Sequence, residues 1–347
     1  MGVMRFGLIG FGAWGKYHAE AILKAPAAEL AAIACQSQAT EAAARAAYPG
    51  LAVHRDWRLL LADPGIDAVD IVLPNDLHAE VGVAALDSGK HVLLAKPMAT
   101  SLADCDRLIQ ARRRSGKQLS IGHEFRISSQ WGLLKHLLES GELGRPLYAN
   151  VSLFRFPYRL GSGGWRHDPG RVGSWILEEP VHFFDMLMWY FESLGDPHSV
   201  VAFGNAKPRD DGKGGRGRYD NFTALLSFPR GVHAVVTQTL AGFEHHHVVE
   251  IVGSEGAART WWSGVMDRTL EPRHELKVKR RGQDQAETIH LEKSGEVFEL
   301  EEEIQLTAEA FAAGRALVSA EEARKRIAVC LAAEESVATG RAQPLTF

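Results

Sequence analysis

A glycine-rich loop constrains this chain more than any other feature. An apolar segment at residues 4–9 runs directly into the sequence GFGAWG, which fits the pattern GxGxxG. In a strand–loop–helix unit, the first glycine permits a tight turn and the second lets the backbone approach a pyrophosphate. The third lets the helix pack closely on the strand, and the free N–H groups of that helix point at the phosphates. We therefore predict a dinucleotide-binding loop formed by Gly10, Phe11, Gly12, Ala13, Trp14 and Gly15.

The first 122 residues alternate short apolar segments with amphipathic ones. This alternation is typical of a parallel, doubly wound sheet with helices between the strands. Strands are predicted at residues 4–9, 29–35, 68–73, 91–94 and 118–121. Helices are predicted at residues 13–24, 40–47, 77–88 and 102–114. The sequence therefore predicts an α/β fold that begins with a Rossmann domain at residues 1–123.

The pattern changes after Gly122, where segments with strand composition follow one another and the helices are set apart. Strands are predicted at residues 148–154, 222–228, 232–239 and 247–253. Helices are predicted at residues 129–140, 180–191, 298–314 and 320–340. Such segregation predicts an α+β domain at residues 124–347 with an open, mostly antiparallel sheet. The C-terminal helices could also pack back on the first domain.

Composition excludes several classes of protein. Apolar residues make up 46% of the chain, charged residues 24%, and the net charge is −4, so neither a nucleic-acid partner nor a membrane partner is expected. Basic residues cluster at 112–114 and between Lys207 and Arg218, which we interpret as solvated surface. Three well-separated cysteines, no apolar stretch of membrane-spanning length and a strand near residue 1 together predict a cytoplasmic protein without a signal peptide.

Two predicted strand ends carry polar residues. In an open α/β sheet, ligands bind beyond the carboxyl ends of the strands. Lys96 follows the strand at 91–94, where its side chain would point at the nicotinamide end of a cofactor, and Pro97 fixes the direction of the chain. A solvated loop lysine is the alternative. Further cofactor contacts are predicted from Leu73, Pro74, Asn75, His78 and Ala95.

A second candidate group lies in the segment EEPVHFFD. If the segment is helical, spacings of four and three place Glu178, His182 and Asp185 on one side. Pro180 fits only the first helical turn, so His182 would lie near the positive end of the helix dipole. That position disfavours the charged imidazole and suits a neutral general base. The alternative is a hydrogen-bonded core histidine.

Three adjacent histidines, His245, His246 and His247, raise the question of a metal site. In a strand they alternate between the two faces, so they cannot all bind one ion. No nearby segment has a recognisable ligand spacing. We therefore predict no metal site.

Taken together, these motifs resemble the Gfo/Idh/MocA oxidoreductases over essentially the whole chain. The resemblance rests on GLIGFGAWGKYHAEA, LPNDLHAEV, GKHVLLAKPMATS and the helix that carries His182 and Asp185. It implies a Rossmann domain, a second domain whose outer sheet face forms homodimers or homotetramers, and NAD(P)-dependent oxidation of a sugar, inositol or polyol hydroxyl. The implied catalytic residues are Lys96, His182 and Glu178.

In the chemistry that the resemblance implies, His182 takes the hydroxyl proton and Lys96 stabilises the developing alkoxide. Glu178 would orient His182 or relay its proton. The chain departs from the family pattern at three positions. Ala95 stands where glutamate is common, Glu178 where aspartate is usual, and Pro180 where glycine is usual. We interpret these departures as a subgroup with its own substrate.

The ribose end of the cofactor site lacks the usual acidic residue. The second predicted strand is followed by Gln36 and Ser37, which can hydrogen-bond either cofactor, so the choice between NAD and NADP stays open. Trp165 could stack on a sugar and Arg166 could bind hydroxyls, or Trp165 could pack under its loop while Arg166 holds a carboxylate. Substrate contacts are predicted from Lys96, His123, Arg155, Tyr158, Trp165, Arg166, Glu178 and His182.

Two other functions remain open from sequence. An enzyme on this fold can retain its NAD and use it for transient oxidation, which allows glycoside cleavage or epimerisation. A non-catalytic sensor of dinucleotides or sugars is the other alternative. Lys96 and His182 argue against the sensor, whereas Ala95 favours it.

Overall fold

The computed structural model describes residues 2–207 and 217–347. The basic stretch between Lys207 and Arg218 therefore lies largely outside the described residues. The chain forms two compact units. The first comprises Met1–His123 and Leu300–Ile327, and the second comprises Glu124–Glu299 and Ala328–Phe347.

A parallel sheet forms the centre of the first unit, as the sequence predicted, and it has six strands where five were predicted. Its strands are β1 (Met4–Ile9), β2 (Ala28–Ala34), β3 (Ala52–His54), β4 (Ala68–Ile71), β5 (His91–Ala95) and β6 (Leu119–Gly122). Their order in the sheet is β3-β2-β1-β4-β5-β6. The order reverses at β1, which lies between β2 and β4, and this is where ligands bind in such sheets. The edge strand β3 was not predicted.

The helices of the first unit follow the strands in alternation. They are α1 (Gly15–Lys24), α2 (Gln38–Ala47), α3 (Trp57–Leu61), α4 (His78–Asp87) and α5 (Leu102–Ser115). Ser101 caps α5 by accepting a hydrogen bond from the Asp104 N–H, and Gly116 ends the helix in the left-handed conformation. The short helix α3 was not predicted.

A nine-stranded sheet dominates the second unit. Its strands are β7 (Pro146–Phe154), β8 (Ser199–Asn205), β9 (Asn221–Ser227), β10 (His233–Thr239), β11 (His245–Gly253), β12 (Gly256–Gly264), β13 (Arg273–Arg280), β14 (Glu287–Ile289) and β15 (Gln343–Pro344). The order is β14-β13-β12-β11-β7-β10-β9-β8-β15. The β7–β10 pair is parallel and the other described pairs are antiparallel, so the sheet is mostly antiparallel as predicted.

The two faces of this sheet differ in burial. Helices α6 (Trp131–Glu139), α7 (Pro169–Val172), α8 (Trp175–Glu178) and α9 (Pro180–Tyr190) belong to the same unit. Helix α9 is buried along nearly its whole length and packs against β10. Alternate residues of β7 and β11 are buried, whereas the residues between them are partly exposed. One face is thus covered, and the other, which we call the outer face, is open in the single chain.

Two long C-terminal helices, α10 (Glu296–Ala312) and α11 (Ala320–Thr339), complete the fold. Residues 300–327, which the sequence placed in the second domain, group with the first unit. Leu300, Ile304 and Phe311 of α10 pack in one core cluster with Phe6 and Leu8 of β1. Burial of this apolar stripe explains the grouping. Within the described ranges, no helix is long and apolar enough to cross a membrane.

Candidate functional site

The β1–α1 loop has backbone geometry that requires glycine at two positions. Gly10 has φ +110°, and a Cβ there would lie 2.1 Å from the Val72 carbonyl oxygen. A Cβ on Gly15 would lie 2.0 Å from the carbonyl oxygen of Gly10. Both contacts are far below van der Waals distance, so a side chain at either position would displace backbone. These are the turn and close-packing roles that the sequence predicted.

The middle glycine of the loop, Gly12, faces open space. A Cβ on Gly12 would meet nothing within 4 Å. Helix α1 begins at Gly15, and its first turn contains no acidic side chain that would repel a phosphate. The open position beside a helix N-terminus therefore fits the pyrophosphate of a dinucleotide.

One residue that the sequence did not suggest, Arg55, lies at the ribose end of the predicted cofactor site. The Ser37 hydroxyl accepts a hydrogen bond from the Thr40 N–H and so caps α2. Arg55, directly after β3, donates from its guanidinium to the Gln36 carbonyl oxygen at 3.2 Å. Because β3 pairs with β2, the sheet places this cation beside Gln36 and Ser37. The first unit thus has a cation at its ribose end.

The loops after β4 and β5 are tied together by a histidine. His78 is buried, and its Nδ1 lies 2.7 Å from the Pro97 carbonyl oxygen. Its Nε2 lies 2.9 Å from the Leu73 carbonyl oxygen. The imidazole therefore holds the loop that contains Leu73, Pro74 and buried Asn75 against the loop that contains Lys96. This geometry favours a positioning role for His78 over a direct cofactor contact.

Lys96 follows β5 directly, at the same edge of the sheet as the glycine loop. The Lys96–Pro97 peptide bond is cis. Ala95, the last residue of β5, and Lys96 are both partly exposed, whereas Pro97 is buried. His123 ends the first unit one residue after β6, and only 2% of it is exposed.

In the second unit, the segment around His182 is two helices rather than one. Helix α8 ends at Glu178, Glu179 leaves the helical region with φ −130° and ψ −52°, and α9 begins at Pro180. The condition for Glu178, His182 and Asp185 to share one side of a single helix is therefore not met, whereas Pro180 lies in the first turn of its helix as predicted. Proline at the first helical position explains the break, since its ring prevents the preceding residue from continuing the helix.

Each of the two predicted carboxylates has an arginine partner. Glu178 accepts a hydrogen bond from Arg166 Nε at 2.7 Å. Asp185 accepts two from Arg126, at 2.8 and 2.6 Å. Burial alone would lower the pKa of Arg166, but the Glu178 carboxylate raises it above its usual value. The interpretation that Arg166 holds a carboxylate is thus confirmed.

His182 lies beside a carboxylate that the sequence did not single out. It is 3% exposed, and its Nε2 is 3.8 Å from Glu124 Oε1. The ring of Phe125 packs against the imidazole with 4.8 Å between the ring centroids. A buried imidazole between a carboxylate and an aromatic ring can accept a proton and have the resulting charge compensated.

Two predicted substrate residues are packed in the interior. Trp165 and Tyr158 lie in an apolar cluster with Val172, Trp175 and Leu240. Trp165 is 9% exposed, and a Cβ on Gly161 would lie 2.6 Å from its indole nitrogen. Of the two alternatives for Trp165, the structure favours packing under its loop rather than an open stacking surface.

Arg155, predicted to contact substrate, is paired with two acidic residues. Its guanidinium donates to Glu179 Oε2 at 3.0 Å and lies 3.5 Å from Asp267 Oδ2. It also lies over the Tyr158 ring, 4.7 Å from the centroid. Burial lowers the pKa of Arg155, but Glu179, Asp267 and the other nearby acidic groups together outweigh that effect and raise it.

The histidines at the start of β11 occupy both faces, as predicted. His245 and His247 are buried on the covered face with their Nε2 atoms 2.6 Å apart, whereas His246 lies on the outer face. Burial lowers the pKa of His245 and of His247 well below the usual value, and Arg155 lowers both further. Both rings are therefore neutral at pH 7.

Two acidic residues distant in sequence join these histidines. Glu179, His245 and Glu296 bring ligand atoms within 4.8 Å of one another. Burial raises the pKa of Glu296 well above its usual value, and the nearby carboxylates Asp267, Glu179 and Glu124 raise it further. We call Glu179, His245, His247, Asp267 and Glu296 the His–Glu cluster.

Comparison with known protein families assigns both units. The model described as an oxidoreductase family with an NAD-binding Rossmann fold matches residues 4–123. The GFO/IDH/MocA C-terminal domain matches residues 131–259. Together the two family models match well over half of the chain.

Individual relatives extend over most of the chain. An uncharacterized oxidoreductase, YdgJ of Escherichia coli, is 31% identical over 84% of this chain and 81% of its own. The myo-inositol 2-dehydrogenase of Thermotoga maritima is 28% identical over 77% of each chain. Among solved structures, levoglucosan dehydrogenase in complex with NADH superimposes with a TM-score of 0.85 and 23% identity, covering 99% of each chain. At that identity the superposition shows the shared fold.

Proposed function

The chain belongs to the GFO/IDH/MocA oxidoreductase family, and from this premise we propose that it oxidises a hydroxyl-bearing carbon of a sugar, an inositol or a related polyol. The relatives named myo-inositol 2-dehydrogenase and levoglucosan dehydrogenase support this substrate class. The observation that carries the proposal is Lys96, a cationic side chain at the strand-end edge of the NAD-binding unit.

The cofactor, when bound, supplies the hydride acceptor. Gly10, Gly12 and Gly15 would hold its pyrophosphate, and Gln36 and Ser37 its ribose. Lys96 would donate a hydrogen bond to the reacting oxygen and stabilise the negative charge that develops there. His182 would accept the hydroxyl proton at its imidazole. The Glu124 carboxylate, 3.8 Å from Nε2, would stabilise the imidazolium.

For Glu178, we propose a role through Arg166 rather than through proton relay. The 2.7 Å contact fixes the guanidinium, whose remaining N–H groups can bind substrate hydroxyls. Arg155 would act likewise, since Glu179 and Asp267 fix its orientation. Tyr158 and Trp165 then support these loops from the interior instead of touching the sugar.

A substrate panel tests the proposal. Purified protein is mixed with NAD or NADP and with sugars, inositols and anhydrosugars, while the absorbance of reduced nicotinamide is followed. We expect turnover on at least one polyol, and we expect Lys96→Ala to lower kcat/KM by about 10²-fold or more. Lys279→Ala, at an exposed lysine of β13, should leave activity unchanged.

Two results would replace the proposal with one of its alternatives. Cofactor that co-purifies with the protein, together with cleavage of a glycoside and no net NADH, would indicate transient oxidation. Tight cofactor binding without reduction on any member of the panel would indicate a sensor.

We further propose that NADP is accepted at least as well as NAD. No carboxylate occupies residues 35–40, directly after β2, to repel a 2′-phosphate, and Glu41 in the first turn of α2 is paired with Arg45 and Arg55. Arg55, bound to the Gln36 carbonyl oxygen, offers a guanidinium that can pair with this phosphate. The ratio of kcat/KM for NADP and NAD measures this preference, and a ratio far below one would contradict it.

Finally, we propose a cytoplasmic homodimer or homotetramer that associates through the outer face. Phe154 and Phe203 lie on that face, and 50% and 67% of their surface is exposed in the single chain. Light scattering should give a dimer or tetramer mass for the native chain and a lower mass for Phe203→Asp. Leu59→Asp, at an exposed position on α3, is the control that should retain the native mass. A monomeric native chain would contradict the proposal.

A further inference from the structure

The His–Glu cluster contains more acidic and imidazole groups than the proposed reaction uses. We propose that it binds one divalent transition-metal ion, with Glu179, His245 and Glu296 as ligands. This site goes beyond the proposed function, because it lies wholly within the second unit and requires neither cofactor nor polyol.

The ligand geometry is close to what one ion requires. Atoms that bind an ion at 2.0–2.2 Å lie at most about 4.4 Å apart. The ligand atoms of the three residues already lie within 4.8 Å of one another, so a small side-chain rotation completes the site. One imidazole and two carboxylates suit Zn²⁺ or Co²⁺, whereas Mg²⁺ and Ca²⁺ prefer oxygen ligands alone.

The space available fits an ion and not a sugar. A small cavity of about 10 Å³ lies in the cluster, which is the space of a single water-sized sphere. His245, His247, Asp267 and Glu296 supply its polar wall. Its remaining wall is largely aromatic and is formed by Phe125, Trp131 and Trp262. An apolar shell around a polar ligand set limits water access and is a common feature of metal sites.

The surrounding contacts orient the ligands. Arg155 holds one oxygen of Glu179 by a 3.0 Å hydrogen bond to Oε2, which directs the carboxylate. His247 stacks on His245, with 4.7 Å between the centroids and 16° between the ring planes. Such partners fix the direction of a metal ligand before the ion arrives.

Charge also favours a cation. Glu296 lies in the field of three other carboxylates: Glu124, Glu179 and Asp267. Arg155 and Arg159 pair with Glu179 and Asp267, and Arg268 is a further cation that acts on Glu296. The like-charged pair that an ion would bridge is Glu179 and Glu296. A divalent ion between Glu179 and Glu296 would turn this repulsion into attraction.

Metal binding by the full-length, untagged protein tests the inference. The protein is treated with a chelator and dialysed, and Zn²⁺ alone is then titrated in a calorimeter. Co²⁺ is added in a parallel experiment, because its visible absorption reports the ligands. We expect one ion per chain. Glu296→Gln, which keeps the shape of the side chain, and His245→Asn should each weaken binding by about tenfold or more.

The control is Glu302→Gln, which removes the same charge from an exposed position of the same helix. It should bind Zn²⁺ as the native chain does. The absence of stoichiometric Zn²⁺ and Co²⁺ binding by the native chain would overturn the inference. Equal affinities of the native, Glu296→Gln and His245→Asn proteins would overturn it as well. Thermal melting of each variant shows whether a weaker signal reflects unfolding.

Discussion

The glycine loop of the first unit depends on backbone geometry, whereas the His–Glu cluster of the second depends on side chains. The loop is one short stretch of backbone, and two of its glycines are required because a Cβ would strike a carbonyl oxygen. The cluster is made of side chains from residues 179 to 296. Its three proposed ligands come from the junction between α8 and α9, from strand β11 and from the start of α10. The first depends on local chain geometry, whereas the second depends on the whole sheet being in register.

This difference predicts which substitutions each region tolerates. The stability of the glycine loop should fall when a substitution adds side-chain volume and should change little when a substitution changes charge. A buried side-chain network should be sensitive to the loss of one charge, because its partner is then left unpaired in the interior.

The largest expected effect is a loss of stability at a buried ion pair, compared with a surface ion pair of similar geometry. Asp185 accepts two hydrogen bonds from Arg126 in the interior of the second unit, and Asp87 accepts two from Arg114 on the surface of the first. Asp185→Asn should lower the free energy of unfolding by about 3–5 kcal/mol, because it removes the charge of a buried carboxylate that accepts two hydrogen bonds from the Arg126 guanidinium. Asp87→Asn should cost less than about 1 kcal/mol. Urea denaturation measures both, and equal losses would remove the contrast between the regions.

The next effect concerns the glycine loop. Gly15→Ala should lower the free energy of unfolding by about 1–3 kcal/mol, because its Cβ would lie 2.0 Å from the Gly10 carbonyl oxygen. Gly50→Ala serves as the control, because a Cβ there meets nothing within 4 Å. It should change stability by less than about 0.5 kcal/mol. A neutral Gly15→Ala protein would mean that the loop is not packed as described.

Arg55 departs from this contrast, because it is a side chain proposed to bind the cofactor in the unit whose glycine loop depends on backbone geometry. We expect Arg55→Gln to lower kcat/KM for NADP by about tenfold, or about 1.4 kcal/mol, and to leave kcat/KM for NAD nearly unchanged. Arg107→Gln, at an exposed arginine of α5, is the control. A parallel loss with both cofactors would contradict a role at the 2′-phosphate.

The sequence predicted the first unit better than the second for a physical reason. Strands buried on both faces are apolar throughout, so β1, β2, β4, β5 and β6 could be recognised. The missed elements β3 and α3 are only three and five residues long. Strands such as β13, with the sequence RHELKVKR, alternate buried and solvated positions and are largely charged. Such a strand lacks the apolar signal of a parallel one.

The same contrast holds for the site residues. The glycine loop, Lys96 and His182 all lie in contiguous motifs. Glu124, Asp267 and Glu296 have no local signal, because strand pairing and helix packing bring them to the site from distant segments. One signal was present in the triple histidine. Alternation in a strand places His245 and His247 on the same face, and this pairing could have prompted a search for acidic partners.

The central claim is that cofactor binding depends on the first unit and the chemistry depends on His182 of the second. Two matched variants test it by cofactor fluorescence titration and by turnover. We predict that Gly12→Ala, where a Cβ meets only open space, folds normally but weakens NAD(P)H binding. We predict that His182→Asn binds NAD(P)H like the native chain and loses about 10²–10⁴-fold in kcat. Native turnover in His182→Asn, or equal loss of cofactor binding in both variants, would contradict the claim.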